Sequence, residues 1–295
     1  MNISELETIE QIIEGFESKG YVMDTELATI VFLLLKLQKP LLIEGHTGVG
    51  KTELANQLAN FLDTELIRLQ CYEGLDLGSA VYEWNYQKQL LTIKIQEQSQ
   101  KTEAEKERHI FSDEFLMERP LLKSIRADKP VVLLIDEIDR SDEEFEAFLL
   151  ELLSAFQISI PELGTIKAKH IPFVILTSNR SRELGDALKR RCLYYWVDYP
   201  DLEKELKILQ KRLPHIEEDL SMQIVQFVQK IRKLRLSKTP GIAETLDWAQ
   251  GLLALGKKEL DPATVKLTQG CLLKSSEDAE LLASEDVRKF IENIP

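Results

Sequence analysis

Cysteine is scarce in this chain. Cys71, Cys192 and Cys271 are odd in number and far apart, and no C-x-x-C pair occurs. A disulfide framework and a zinc site are therefore not indicated, and a reducing cytoplasm is the expected setting. Positive charge is also short: 37 Lys and Arg stand against 50 Asp and Glu, a formal net charge of −13. A protein whose main ligand is a nucleic-acid backbone usually presents a basic face, so this balance counts against one. No helix-turn-helix pattern, internal repeat or low-complexity tail is present. The longest apolar run, Ile30 to Leu35, is far too short to span a bilayer. The start, "MNISELETIEQ", is acidic and lacks the basic opening and apolar stretch of a secretory signal. What remains is ordinary globular composition, 44% apolar and 29% charged, over 295 residues, enough for one large domain or two ordinary ones.

The opening reads as two helices. Ser4 with Glu7 makes a capping box, and Leu6, Ile9, Ile12, Ile13 and Phe16 recur at helical spacing until Gly20. A more apolar helix runs from about Thr25 to Leu37, and Pro40 stops it. Strands and helices then alternate. The strands are "LLIEG" (41–45), "ELIRLQ" (65–70), "VVLLID" (131–136), "PFVILTSN" (172–179) and "LYYWVDY" (193–199). Short apolar strands separated by helical patterns predict an α/β fold with a parallel sheet. Two stretches interrupt the alternation. Val81 to Gln98 alternates like a strand pair and predicts a β-rich insertion; Phe156 to Ile171 predicts a hairpin around Pro-Glu-Leu-Gly. After Pro200 the periodicity is helical, which predicts an α/β domain over 1–200 and a helical domain over 201–295.

The chemistry concentrates at strand ends. "GHTGVGKT" has the form G-x-x-x-x-G-K-T between an apolar strand and an amphipathic helix. A phosphate chain needs many close donors, and such a loop offers backbone N–H groups at a helix N-terminus. Gly45, His46, Thr47, Gly48, Val49 and Gly50 form the cradle, Lys51 reaches the outer phosphates, and the Thr52 hydroxyl can hold Mg²⁺. "LLIDEID" ends a buried strand in acids. Asp136 is the natural second metal partner, and Glu137 beside it can polarise a water. Switch GTPases use a glutamine for that step and small-molecule kinases have no need of it, so the D-E pair points to hydrolysis. Asn179 ends the next strand, where it can hold the attacking water; a turn residue is the plainer reading. Lys189, Arg190 and Arg191 cluster before the last strand. They are either an arginine finger for a neighbouring subunit or a cationic helix C-terminus.

Taken together, these motifs resemble the AAA+ ATPase module over nearly the whole chain. The resemblance implies a five-stranded parallel sheet ordered 5-1-4-3-2, a C-terminal helical lid, and ATP–Mg²⁺ sites between subunits of a ring, a hexamer by expectation. Within AAA+ the chain is similar to the MoxR branch, which carries insertions in the regions noted above. "LQCYEGLD", "DEIDRSDEEFEAFLLELLSAFQISIPELGTI", "TSNRSRELGDALKRRCLYYWVDYP" and "TPGIAETLDWA" resemble the CoxD-type proteins. Those are linked to maturation of carbon-monoxide dehydrogenase and related molybdenum enzymes, beside a partner with a von Willebrand factor A domain. The resemblance implies Arg191 as the finger, with Arg190 second. There are two departures. Many MoxR proteins read D-E-I-N-R, so Asp139 adds a negative charge and with it an expected need for Mg²⁺. Many also carry a sensor arginine after a proline at the start of a lid helix; here Pro240 is followed by Gly241, leaving Lys238 as the only nearby substitute.

His46 is a variable loop position and is assigned no metal. Tyr82, Trp84 and Tyr86 lie on the expected insertion strand, where they either pack or touch a client. The acids Asp142 to Glu146 read as solvated first turns of a helix. Two other functional classes stay open: a slow nucleotide-gated scaffold and a DNA-directed AAA+ motor, the second disfavoured by the charge.

Overall fold

A computed structural model describes residues 6–96, 102–284 and 287–292. The elements run α1 (Ile9–Ser18), α2 (Thr25–Leu37), β1 (Leu41–Gly45), α3 (Lys51–Leu62), β2 (Leu66–Gln70), α4 (Leu77–Ala80), β3 (Tyr82–Trp84), α5 (Tyr86–Gln96), α6 (Glu103–Ile110), β4 (Leu116–Glu118), α7 (Pro120–Arg126) and β5 (Val132–Asp136). They continue with α8 (Glu143–Ala155), β6 (Gln157–Ile160), β7 (Gly164–Lys167), β8 (Phe173–Ser178), α9 (Asp186–Lys189) and β9 (Leu193–Val197). Helices complete the described chain: α10 (Leu202–Arg212), α11 (Glu218–Ile231), α12 (Ile242–Ala254), α13 (Pro262–Leu272), α14 (Ser276–Ser284) and α15 (Val287–Glu292).

The main sheet has five strands in the order β2-β5-β8-β1-β9. Counted by sheet strands alone this is 5-1-4-3-2, as the resemblance to the AAA+ module implied. β5 lies between β2 and β8, parallel to both. It is buried on both faces, which is why "VLLID" shows no alternation. The register sets Gln70 opposite Asp136 and Ile135 opposite Leu176, so the carboxyl ends of three strands meet. In open α/β sheets this edge is where ligands bind.

The chain divides into two compact units. The first comprises Met1–Ile12, Thr25–Glu44 and Thr52–Tyr195. Its core includes Leu42, Leu133, Ile135, Leu149, Leu152 and Leu176. The second comprises Ile13–Asp24, Gly45–Lys51 and Trp196–Pro295. Its core gathers Leu209, Ile224, Phe227, Val228, Trp248 and Leu252. The Trp248 indole N–H is satisfied inside that core by Thr268 Oγ1 at 2.7 Å.

Several expectations are corrected. Within 81–98, the described residues 81–96 are not a strand pair: β3 is short, pairs with β4, and is followed directly by α5. Asn85 starts that helix by accepting the Lys88 N–H at 3.0 Å. Its alternating apolar residues carry no burial pattern, since Leu90, Leu91 and Ile95 are all exposed. Trp84 packs, with its ring 5.4 Å from Phe111, whereas Tyr86 is exposed on α5. Residues 103–110 form α6, whose N-cap Thr102 and Glu105 make a reciprocal capping box. The hairpin at 156–171 is present as β6 and β7, paired antiparallel. Asp142 caps α8 through the Phe145 N–H, with Glu143, Glu144 and Glu146 in its first turn. Glu146 is not solvated, however; it is buried, accepts the Gly185 N–H and pairs with Arg182. The proposed box at Ser4 lies outside the described residues.

Candidate functional site

In the α/β unit the site is built on the ends of β2, β5 and β8 and on the first turn of α3. Thr52 Oγ1 donates to Asp136 Oδ1 at 3.0 Å. Asp136 is 2% exposed and also accepts the Thr177 hydroxyl, at 2.5 Å, and the Arg68 guanidinium on Oδ2, at 2.5 Å. A buried carboxylate needs such partners, because desolvating a charge without them is expensive. A hydroxyl and a carboxylate side by side are the hard oxygen ligands that Mg²⁺ prefers. The carboxylate already accepts a cation, the Arg68 guanidinium, so Thr52 and Asp136 fit a metal.

Glu137 follows with φ 55° and ψ 50°. A left-handed conformation costs a residue with a Cβ about 1–2 kcal/mol. Local hydrogen bonds hold it there. The Glu137 N–H donates to Thr177 Oγ1 at 2.9 Å. Its carboxylate accepts the Gln70 amide at 3.1 Å on one oxygen and the Asn179 amide at 3.3 Å on the other. Arg140 lies 3.2 Å from the first of these oxygens. The base candidate is thus held from both neighbouring strands, and Asn179 is a partner of Glu137 as well as a strand-end residue. Gln70, Arg68 and Thr177 escaped the sequence reading; each looks like an ordinary strand residue until the register is known.

Asp139 is the third acid of this motif. It is 3% exposed and accepts the Asn179 N–H at 3.1 Å, the Ser181 N–H at 2.8 Å and the Ser181 hydroxyl at 2.6 Å. Burial pushes its pKa up, but these hydrogen bonds outweigh it and leave the carboxyl below the ordinary value of 3.8. Asp139 therefore anchors the backbone that carries Asn179.

The phosphate-loop residues Gly45 to Lys51 belong to the other unit. Gly48 and Gly50 have φ of 78° and 93°, the conformations this loop needs and a side chain resists. A Cβ on Gly45 would fall 2.2 Å from the Val197 carbonyl oxygen. Lys51 is 8% exposed, and its ammonium donates to the carbonyls of Gly45 and His46 at 2.8 and 2.6 Å. His46 stacks on Tyr199 with ring centroids 4.7 Å apart. Thr47 and Val49 complete the loop.

Arg191 is exposed; its Nε donates to Ser154 Oγ at 2.6 Å and another guanidinium nitrogen to the Ala187 carbonyl at 2.8 Å. Arg190 is exposed at the C-terminus of α9. Lys238 is exposed, and its N–H donates to Asp278. Cys71 and Cys192 are thiols with pKa values raised to about 12, chiefly by burial, so neither is a nucleophile near neutral pH. Among the described residues no His, Cys, Asp and Glu cluster makes an all-protein metal cage. Among them, too, no helix is long and apolar enough to cross a membrane.

A phosphate loop between strand and helix, and an acid pair ending the sheet's second strand, define a P-loop nucleotide-binding protein. Residues 40–192 match the family model of the AAA domain, dynein-related subfamily, and the chain belongs to that family. It is 30% identical over 230 residues to an uncharacterized protein of Staphylococcus aureus strain bovine RF122, covering 75% of this chain and 78% of that one. It is 28% identical over 229 residues to an uncharacterized Staphylococcus haemolyticus protein, with the same coverage. Among solved structures it resembles a candidate ATPase from Cytophaga hutchinsonii, with a TM-score of 0.50 and 17% identity, over 97% of this chain and 92% of that one. At that identity the likeness shows the fold alone.

Proposed function

We propose that this chain is an ATP-hydrolysing, ring-forming remodelling ATPase of the MoxR type, of the CoxD-like subgroup, acting in maturation of a molybdenum enzyme of the carbon-monoxide dehydrogenase kind. The observation that carries the hydrolytic reading is Glu137. Its carboxylate is fixed by Gln70 and Asn179, one residue after the Asp136 that meets Thr52. In this reading the loop amides and Lys51 bind the phosphates of ATP. Thr52 and Asp136 hold Mg²⁺, which when bound screens the phosphate charge. Glu137 takes a proton from the attacking water and Asn179 keeps that water in line. Arg191 of a neighbouring subunit stabilises the charge that develops on the γ-phosphoryl group.

The finger is tested by mixing two inactive proteins. Arg191→Ala spoils its neighbour's site and leaves its own Glu137 intact; Glu137→Gln does the reverse. In mixed rings some interfaces regain both groups, so activity should partly return. If Arg190→Ala alone abolishes turnover, the other arginine is the finger. If neither substitution matters and activity per chain does not fall on dilution, the ring reading fails. For the client, a pull-down with Glu137→Gln in ATP should recover a von Willebrand factor A-domain protein or a molybdenum-enzyme subunit; recovery of neither refutes the subgroup reading.

One observation favours the slower scaffold as a second reading. Arg68 holds the acid that Mg²⁺ needs. Turnover that stays negligible with ATP, Mg²⁺ and a captured partner present would select it.

A further inference from the structure

The phosphate loop is tied to the start of α12 directly through backbone. Gly48 and Gly241 stand face to face. A Cβ on Gly241 would lie 2.7 Å from both the carbonyl carbon and the oxygen of Gly48, and one on Gly48 would lie 3.2 Å from the Gly241 Cα. Position 241 has no room for a side chain, and position 48 has little, since a Cβ there would also lie 3.0 Å from Glu244 Oε2. The next N–H, that of Ile242, donates to the Gly48 carbonyl at 2.9 Å. Ile242 is the first residue of α12, so its N–H has no acceptor within the helix. Glu244 reaches back to the Gly241 N–H at 2.9 Å and fixes the entry to the helix.

A second route joins the same two segments. His46 stacks on Tyr199 at 4.7 Å, and the Arg232 guanidinium lies 4.9 Å from the Tyr199 ring centre. Arg232 donates through Nε to the Pro240 carbonyl at 2.8 Å. It is also held in a two-bond fork by Glu205, at 2.7 and 2.6 Å. The contacts close a circuit: His46, Tyr199, Arg232, Pro240, Gly241, Gly48.

The chemistry of an anion loop says what this circuit is for. Such a loop works when its N–H groups face the phosphates and its carbonyls face away. The peptide between Gly48 and Val49 is planar and trans, so its C=O and N–H point in opposite directions. A donor that holds the Gly48 oxygen on α12 therefore aims the Val49 N–H away from that helix. Released, a peptide flanked by Gly48 is free to turn, presenting an oxygen where a donor is needed.

We propose that Gly241 and Ile242 are positioning residues of the phosphate loop, and that nucleotide binding and the seating of α12 are coupled through the Gly48 backbone rather than through a basic side chain. This rests on the nucleotide-binding reading above. It also gives a physical reason for a glycine after Pro240: an arginine there would drive its Cβ into the loop.

The test separates the N–H from the side chain. Proline is accepted at the first position of a helix, and Gly241, at φ −89° and ψ −169°, has the extended backbone that a following proline requires. Ile242→Pro deletes the donor; Ile242→Ala keeps it while also losing the isoleucine side chain. With a fluorescent ADP analogue as probe, Ile242→Pro should bind about five- to tenfold more weakly than Ile242→Ala, the worth of roughly one hydrogen bond. Equal affinities for the two folded proteins overturn the proposal. Should Ile242→Pro not fold, Gly241→Ala takes its place. It is compared with Gly270→Ala, a site in the same unit where a Cβ meets nothing within 4 Å. Weaker binding for Gly241→Ala alone supports the coupling, and matching affinities refute it. Lys51→Ala separates the two levels. If it binds the probe normally, the nucleotide reading itself fails. If it loses binding while Ile242→Pro and Ile242→Ala agree, only this inference falls.

Discussion

Two buried carboxylates, one in each unit, are neutralised in opposite ways. Glu205 is held by Arg232, with side chains 1% and 6% exposed, by a two-bond fork and by the Thr245 hydroxyl at 2.9 Å. Asp136 is held by Arg68, whose side chain is 52% exposed, and by two threonine hydroxyls. The first pair has no route to water and no reason to part. The second can exchange its cation at little cost, because a half-exposed guanidinium recovers hydration as it leaves. Both acids are buried, and the exposure of the partner tells them apart: under the proposed function Glu205 is a scaffold charge and Asp136 a working one.

Arg232 offers the largest effect. Arg232→Ala strands Glu205 in the core, and chemical denaturation should show a loss of about 3–5 kcal/mol. Replacing both residues with apolar ones of similar volume should restore most of it. If Arg232→Ala costs no more than a surface pair, the two carboxylates are alike and the comparison fails.

A smaller effect is expected at Asp139. Asp139→Ala removes the acceptor that fixes Asn179 and Ser181, and ATP turnover should fall about tenfold, the equivalent of roughly one well-placed hydrogen bond to a charged group. Unchanged turnover would mean that Asn179 needs no anchor. The same residue carries a pH signature. Its folded pKa lies below the ordinary 3.8, so its contribution is complete above that value and fades as pH falls through the folded pKa. Melting of wild type should therefore drop more steeply below about pH 4 than melting of Asp139→Asn. Parallel profiles would place the acid sensitivity elsewhere.

Arg68 should give the smallest change in stability. Arg68→Ala should cost less than Arg232→Ala, because the Thr52 and Thr177 hydroxyls still hold Asp136 and the guanidinium that is lost was half in water. It should also lower the Mg²⁺ concentration needed for half-maximal nucleotide binding. A loss as large as that of Arg232→Ala would make Arg68 a scaffold residue.

Much of this was legible from residues alone, for physical reasons. An apolar strand ending in Asp136 and Glu137 needs no structure to be seen as a buried strand presenting acids. A glycine-rich loop before an amphipathic helix is equally local. Gln70, Thr177 and Arg68 act across strands, and only the register that sets Gln70 opposite Asp136 gives them meaning. The stretch from Val81 misled because Val81 and Trp84 are buried as a strand pattern expects, whereas the apolar residues that continue it, Leu90, Ile93 and Ile95, are exposed on α5. The Asn85 cap was the better signal there. In the sequence Gly241 stands out only as the absence of an arginine; its contact with Gly48 lies nearly two hundred residues back in the chain, beyond any local pattern.

In the proposed function Glu137 is the group that activates water. Glu137→Gln keeps the shape and one acceptor oxygen for Gln70 or Asn179, and removes the base. The direct measurement is single-turnover hydrolysis of bound ATP by this variant beside wild type. ATP binding should be retained and hydrolysis slowed about 10²–10⁴-fold. Hydrolysis within a fewfold of wild type, with binding intact, would contradict it.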